Sequence, residues 1–167
     1  VPVPDVDILL MESTYGGPFH EAPSRDDETF CRAIKEALEL GGRVYIPAFA
    51  VERTQQLLYL LNRAYHEGTL PLLPVYVDSP MAVGATEIFR IHPECFNKEV
   101  YDFLFREKDP FCFEQLRLIR SVGESQALNK MNGQAIIISA SGMCEAGRIL
   151  HHLANNIGDP KNTVLFV

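Results

Sequence analysis

No stretch of this sequence approaches the ~20 consecutive apolar residues that a membrane-spanning helix needs, and no signal-peptide pattern opens it. Its four cysteines, Cys31, Cys95, Cys112 and Cys144, are scattered without a CxxC pair. That spacing suits reduced thiols in a cytoplasmic protein, with room left for an occasional disulfide. Bases are in the minority: 15 Lys and Arg stand against 22 Asp and Glu, for a net charge of −7. A free-standing, sequence-indifferent nucleic-acid binder is therefore disfavoured, whereas a local groove with a few placed arginines is not.

The usual phosphate-loop and metal signatures are missing too. Neither GxxxxGK[ST] nor GxGxxG occurs, and HxH, HxxxH and HxxE spacings are absent. His151 and His152 are adjacent, so on a helix they point about 100° apart and cannot easily share one ion. One is expected to be packed and the other exposed or at an interface. His20, His66 and His92 read as structural. The chain alone is not expected to bind a metal.

What is present is alternation within a length of 167 residues, enough for one domain with a real core. Short β-branched runs occupy residues 6–11, 43–47, 73–78, 135–139 and 163–167, with 116–120 a weaker candidate. Helical patterns fill residues 23–40, 51–66, 80–91, 97–106, 124–130 and 145–156. The first has Ser24 as a cap candidate, Asp26, Asp27 and Glu28 in its first turn, and Gly41-Gly42 to stop it. This order predicts an α/β, Rossmann-like three-layer domain with a mostly parallel sheet. Right-handed crossovers then line up the strand C-termini, where ligands of such sheets bind.

Small, polar or glycine-bearing turns follow four of the strands. Glu12-Ser13-Thr14-Tyr15-Gly16 closes the first. Residues 47–53 follow the second and end in Arg53. Asp78-Ser79-Pro80 closes the third, with Ser79 as a helix N-cap and Pro80 at the first helical position. Ser141, Gly142 and Met143 follow residues 135–139, and a helix is expected from Cys144 or Glu145. That turn fits either a phosphate seated on helix N–H groups or a plain serine-capped strand–turn–helix. Arg53 and Arg148 near helix starts oppose the dipole. Each is either an anion contact or an arginine that is solvated or paired with Glu52 or Glu145.

As an ordered set, "ESTYG", "GGRVYIPAFAVERTQQLLYLL", "VYVDSPMA", "ISASGMCEAGRILHHL" and "GDPKNTVLFV" resemble the β-CASP region of metallo-β-lactamase-fold nucleases, in its bacterial RNA-processing form. In that family the β-CASP domain is inserted in the catalytic domain, whose HxHxDH zinc motif and later SxH- and VHG-type histidines are not in this sequence. The resemblance implies that residues 1–167 are one β-CASP domain cut from a longer protein, with residues 1–16 ending the preceding catalytic segment. A first residue that is not Met and an end within an apolar run agree with that expectation. Zinc, the implied cofactor, is then bound by the missing metallo-β-lactamase domain of the same chain.

The resemblance further implies a ribonuclease, a hydrolase of RNA phosphodiester bonds in which zinc-bound hydroxide attacks. Glu12 matches the family's catalytic acid, which orients and charges a downstream histidine that protonates the leaving oxygen. Glutamate rather than aspartate there points towards RNA over DNA. Arg53, Ser79, Ser141, Gly142, Met143 and Arg148 match the face that contacts single-stranded RNA. The fragment alone is expected to be inactive, with no membrane partner. A homodimer, and endo- versus 5′-exonuclease action, stay open. The competing expectation is a non-catalytic Rossmann-like module that grips a nucleotide or partner through residues 139–143. A small-molecule hydrolase or flavodoxin-like protein lacks a nucleophile–base pair or flavin loop to support it.

Overall fold

Apolar residues at helical spacing in the first amphipathic stretch become α1 (Pro23–Glu39), which buries Phe30, Ile34 and Ala37 along one stripe. The computed structural model describes residues 6–11, 13, 23–107 and 109–167, the side chains of residues 23–26 and 107 excepted. The Ser24 side chain, expected to cap α1, is among those excepted.

After α1 the chain alternates as β1 (Val44–Pro47), α2 (Arg53–His66), β2 (Val75–Asp78) and α3 (Pro80–Ile91). A short 3-10 turn at Pro93–Cys95 leads to α4 (Lys98–Glu107), β3 (Leu116–Leu118) and α5 (Val122–Asn129). It closes with β4 (Ile136–Ser139), α6 (Arg148–Asn156) and β5 (Thr163–Val164). The strands form one sheet in the order β3-β2-β4-β1-β5, and every pairing is parallel. The expected parallel α/β architecture is thus what the chain adopts.

Strand alternation divides the core between the two faces of this sheet. Val44, Ile46, Val75, Val77, Ile136 and Ile138 pack with Ile34, Leu58 and Val83 from α1, α2 and α3. Tyr45 and Ile137 point the other way, where they meet Ile119 and Leu128. From β1 the chain steps outward to β2 and β3, then returns to β4 and β5. That reversal places α2 and α6, which leave neighbouring strands, on opposite faces. The strand exits between them form the crevice of a doubly wound sheet.

Two expectations are corrected. Residues 6–11 form no strand: Ile8 is 81% and Leu10 93% exposed. β-branched composition makes a strand only where a neighbour accepts its ladder hydrogen bonds, and no described strand pairs with this run. The helix expected from Cys144 or Glu145 begins instead at Arg148, after a turn closed by a hydrogen bond from the Ser141 N–H to the Ala146 carbonyl. Gly147 precedes it at φ 82°, a left-handed conformation that stops the helix from starting earlier. A Cβ there would lie 2.3 Å from the Ala140 carbonyl oxygen.

Candidate functional site at the strand exits

The β1 exit is built by local hydrogen bonds. The Thr54 N–H and hydroxyl both donate to the Phe49 carbonyl, at 3.2 and 2.7 Å, which folds residues 49–53 into a tight loop ahead of α2. Glu52 takes a positive φ of 73°, a strained conformation for a residue with a side chain. Beneath the loop, the buried Gln55 amide donates to the Ala50 carbonyl and the Thr86 hydroxyl. Phe49 and Val51 are each left 55% exposed. Arg53, the first residue of α2, is also exposed; its N–H donates to the Val51 carbonyl, and its side chain has no hydrogen-bond or ion-pair partner among the described residues.

The β4 exit lies against the β1 exit. A Cβ on Gly142 would stand 3.1 Å from the Phe49 nitrogen, so glycine permits this close approach of two loops. The Ser141 hydroxyl accepts from the Met143 N–H at 3.3 Å, and the Cys144 N–H donates to the Ser141 carbonyl. Met143 projects outward and is largely exposed, as is Met81 at the β2 exit. The structure therefore seats the Ser141–Met143 turn against the β1 exit loop that ends in Arg53, with Phe49, Val51 and Met143 exposed along the rim of the two loops.

Ser79 and Arg148 are engaged from behind. Ser79 is buried, and its hydroxyl accepts from the Ala82 N–H with Pro80 following, the cap expected from sequence. Arg148 pairs with neither Glu52 nor Glu145. Its Nη1 donates to Asp78 Oδ1 at 2.6 Å, and its Nη2 donates to the Arg120 carbonyl at 3.0 Å. Glu12 lies outside the described residues.

Asp78 is the functional-looking group that sequence reasoning passed over. It ends β2 fully buried, on the sheet face that carries α5 and α6. Besides Arg148, it accepts from the Ser125 hydroxyl and from His152 Nε2, the latter at 2.6 Å. Burial pushes its pKa up, but hydrogen bonds from His152, Ser125 and Arg148 outweigh that and hold it below the ordinary carboxylate value. The far side of the His152 ring faces Asn129 Oδ1 at 2.9 Å, an oxygen that also accepts from the Asn156 amide. Both ring nitrogens of His152 are thus engaged by side-chain oxygens. His151 is exposed while His152 is buried, the division expected for adjacent histidines. The signal for the cluster was a carboxylate at a buried strand end together with one half of a histidine pair.

No group of three or more His, Cys, Asp or Glu among the described residues is placed to hold a metal ion. Those residues offer no ligand set for the implied zinc. All four cysteines are free thiols.

Comparison with known proteins adds a lineage to this geometry. The profile described as "Beta-Casp domain" matches residues 54–167. Ribonuclease TTHA0252 of Thermus thermophilus is 37% identical over 98% of this chain, which covers 38% of that protein. Transcription termination factor FttA of Methanococcus maripaludis is 32% identical, with this chain spanning 26% of it. An RNase J-like protein of Methanocaldococcus jannaschii is 32% identical, with 37% of its length spanned. The chain thus spans about a quarter to two fifths of the length of these relatives.

Proposed function

Because this chain belongs to the Beta-Casp family, we propose that it serves as the RNA-binding cap domain of a metal-dependent ribonuclease of RNA processing. The carrying observation is the rim itself. The serine- and glycine-bearing β4 exit lies against the β1 loop, which ends in an arginine whose side chain is unpaired among the described residues, in a chain 37% identical to a named ribonuclease. Arg53 supplies charge to a backbone phosphate, while the Ser141–Gly142 turn allows close approach of the strand. Phe49, Val51 and Met143 give the rim an apolar character that suits splayed single-stranded bases. Ser79 and Arg148 support these contacts from beneath.

Glu12 is proposed as the catalytic acid that this domain contributes. Its carboxylate would hydrogen-bond an imidazole from the metallo-β-lactamase domain, fix the ring's tautomer and favour its protonated form, ready to give a proton to the leaving oxygen. Zinc belongs in this scheme to that other domain, where it supplies the activated water. A role on RNA and four free thiols support a cytoplasmic location in this reading.

The test uses the full-length protein and a labelled single-stranded RNA. Glu12→Gln is expected to lower the cleavage rate by ~10²–10⁴-fold with RNA affinity little changed. Removing the metal with a chelator is expected to abolish cleavage, and zinc to restore it. Cleavage by Glu12→Gln at the wild-type rate would remove Glu12 from the chemistry. RNA binding without any cleavage by the wild type would favour the non-catalytic binding module instead.

A further inference from the structure

The Ser141–Met143 turn owes little of its position to itself. Its internal bonds, Ser141 N–H to Ala146 carbonyl at 3.1 Å and Cys144 N–H to Ser141 carbonyl at 3.2 Å, close the loop without attaching it to the sheet. At its far end the loop runs through Gly147 into Arg148, and that side chain reaches two other strand exits. One amino group meets Asp78 at the end of β2, and the other meets the Arg120 carbonyl beyond β3. Asp78 in turn is fixed by Ser125 from α5 and His152 from α6. A fully buried carboxylate with donors from two helices has one place to sit. We infer that Asp78 is a positioning residue, which through Arg148 sets where the β4–α6 turn stands relative to the rim and thereby how tightly the turn grips RNA.

The inference rests, for its RNA part, on the ribonuclease reading; the positional part does not. Arg148 is an effective relay because a guanidinium can hold two acceptors in fixed directions, which a lysine ammonium does not reproduce. Ser125 and His152 are the polar groups that face Asp78 from the packed helices, and neither touches the rim directly. A merely structural Asp78 would lower the stability of the whole domain evenly. A positioning Asp78 loosens one loop beyond any such global loss.

Amide hydrogen exchange on the full-length protein without RNA separates these cases. In Asp78→Asn, the Ser141, Cys144 and Leu150 amides are expected to exchange about tenfold or more faster, a larger factor than at the β1 and β4 amides, which report the loss of global stability alone. Ser125→Ala, which keeps the carboxylate, is expected to give a smaller change in the same amides and serves should the Asn variant not fold. With RNA, Asp78→Asn and Arg148→Lys should each raise KM about tenfold with kcat within about twofold, and the double variant should do no more than either alone. Exchange that is unchanged at the turn in a folded variant, or raised equally throughout the sheet, overturns the inference, as does additivity of the two substitutions. A loosened turn in a protein that binds no RNA would instead refute the ribonuclease reading and leave the positioning role standing.

Discussion

Asp78 and Ser79 are neighbours whose side chains are held by partners at very different distances along the chain. Ser79 caps α3 through a bond to a residue three positions on, so the whole device sits in the tetrapeptide Ser79-Pro80-Met81-Ala82. Asp78 acquires its role from His152, 74 residues away, and from Arg148. Nothing local announces such a partnership. It has a measurable consequence at acid pH. Burial raises the Asp78 pKa, but the three donors outweigh it and leave the folded value below the unfolded one. A depressed carboxylate contributes stability that is complete above the unfolded value of about 3.9 and disappears as pH falls through the folded value. Urea unfolding should therefore show the wild type well above Asp78→Asn at pH 6. The gap should narrow steadily as the pH is lowered below about 4. A gap independent of pH would mean that the carboxylate's charge contributes nothing.

At the scale of elements, legibility followed how local the cause was. The spacing of Phe30, Ile34 and Ala37 predicted α1, and all three are buried. Four of the β-branched runs beyond the N-terminal segment became strands within a few residues of their expected bounds, as did the weaker 116–120 run. The run at residues 6–11 shows the limit, since its residues have strand chemistry but no strand beside them. The start of α6 shows another, because the conformation of Gly147 and the closure of the turn by Ala146 are not written in propensities. Gly41-Gly42 was legible as a helix stop, yet Gly42 has a second reason. A Cβ there would lie 2.1 Å from the Lys161 carbonyl oxygen, in the turn that leads into β5. That same turn is tied to β1 by the Arg43 N–H bond to Asn162 Oδ1 at 2.9 Å. Gly42→Ala must push the two turns apart and loosen the β5 edge. We expect a loss of roughly 1–3 kcal/mol in denaturant unfolding. Gly68→Ala, with open space around it, should show only the cost of its own positive φ. Equal losses at both glycines would mean that the close approach costs nothing.

For the molecule as a whole, the difficulty is charge. On the proposed reading an acidic domain of net charge −7 binds a polyanion, and long-range attraction is then not the source of affinity. Much of the positive charge is already committed. Arg63 pairs with Asp27, Glu67 and Glu99, Arg90 with Asp109, Arg120 with Glu87 and Arg148 with Asp78. Screening over about 8–10 Å at physiological salt then separates the rim from the acidic remainder. One unpaired guanidinium at the right place can outweigh a distant surplus of carboxylates. Arg53 meets that description among the rim residues, at the N-terminus of α2, where the helix dipole adds to its pull on an anion. In the full-length protein, Arg53→Ala should weaken single-stranded RNA binding at every sequence tested. It should also flatten the plot of log affinity against log salt by about 0.7, the value for one phosphate contact to a single strand. Neutralising the paired Arg120 should leave that slope unchanged, since its charge is already spent on Glu87. An unchanged slope for Arg53→Ala would move the phosphate contacts to the other domain and leave this rim with shape alone.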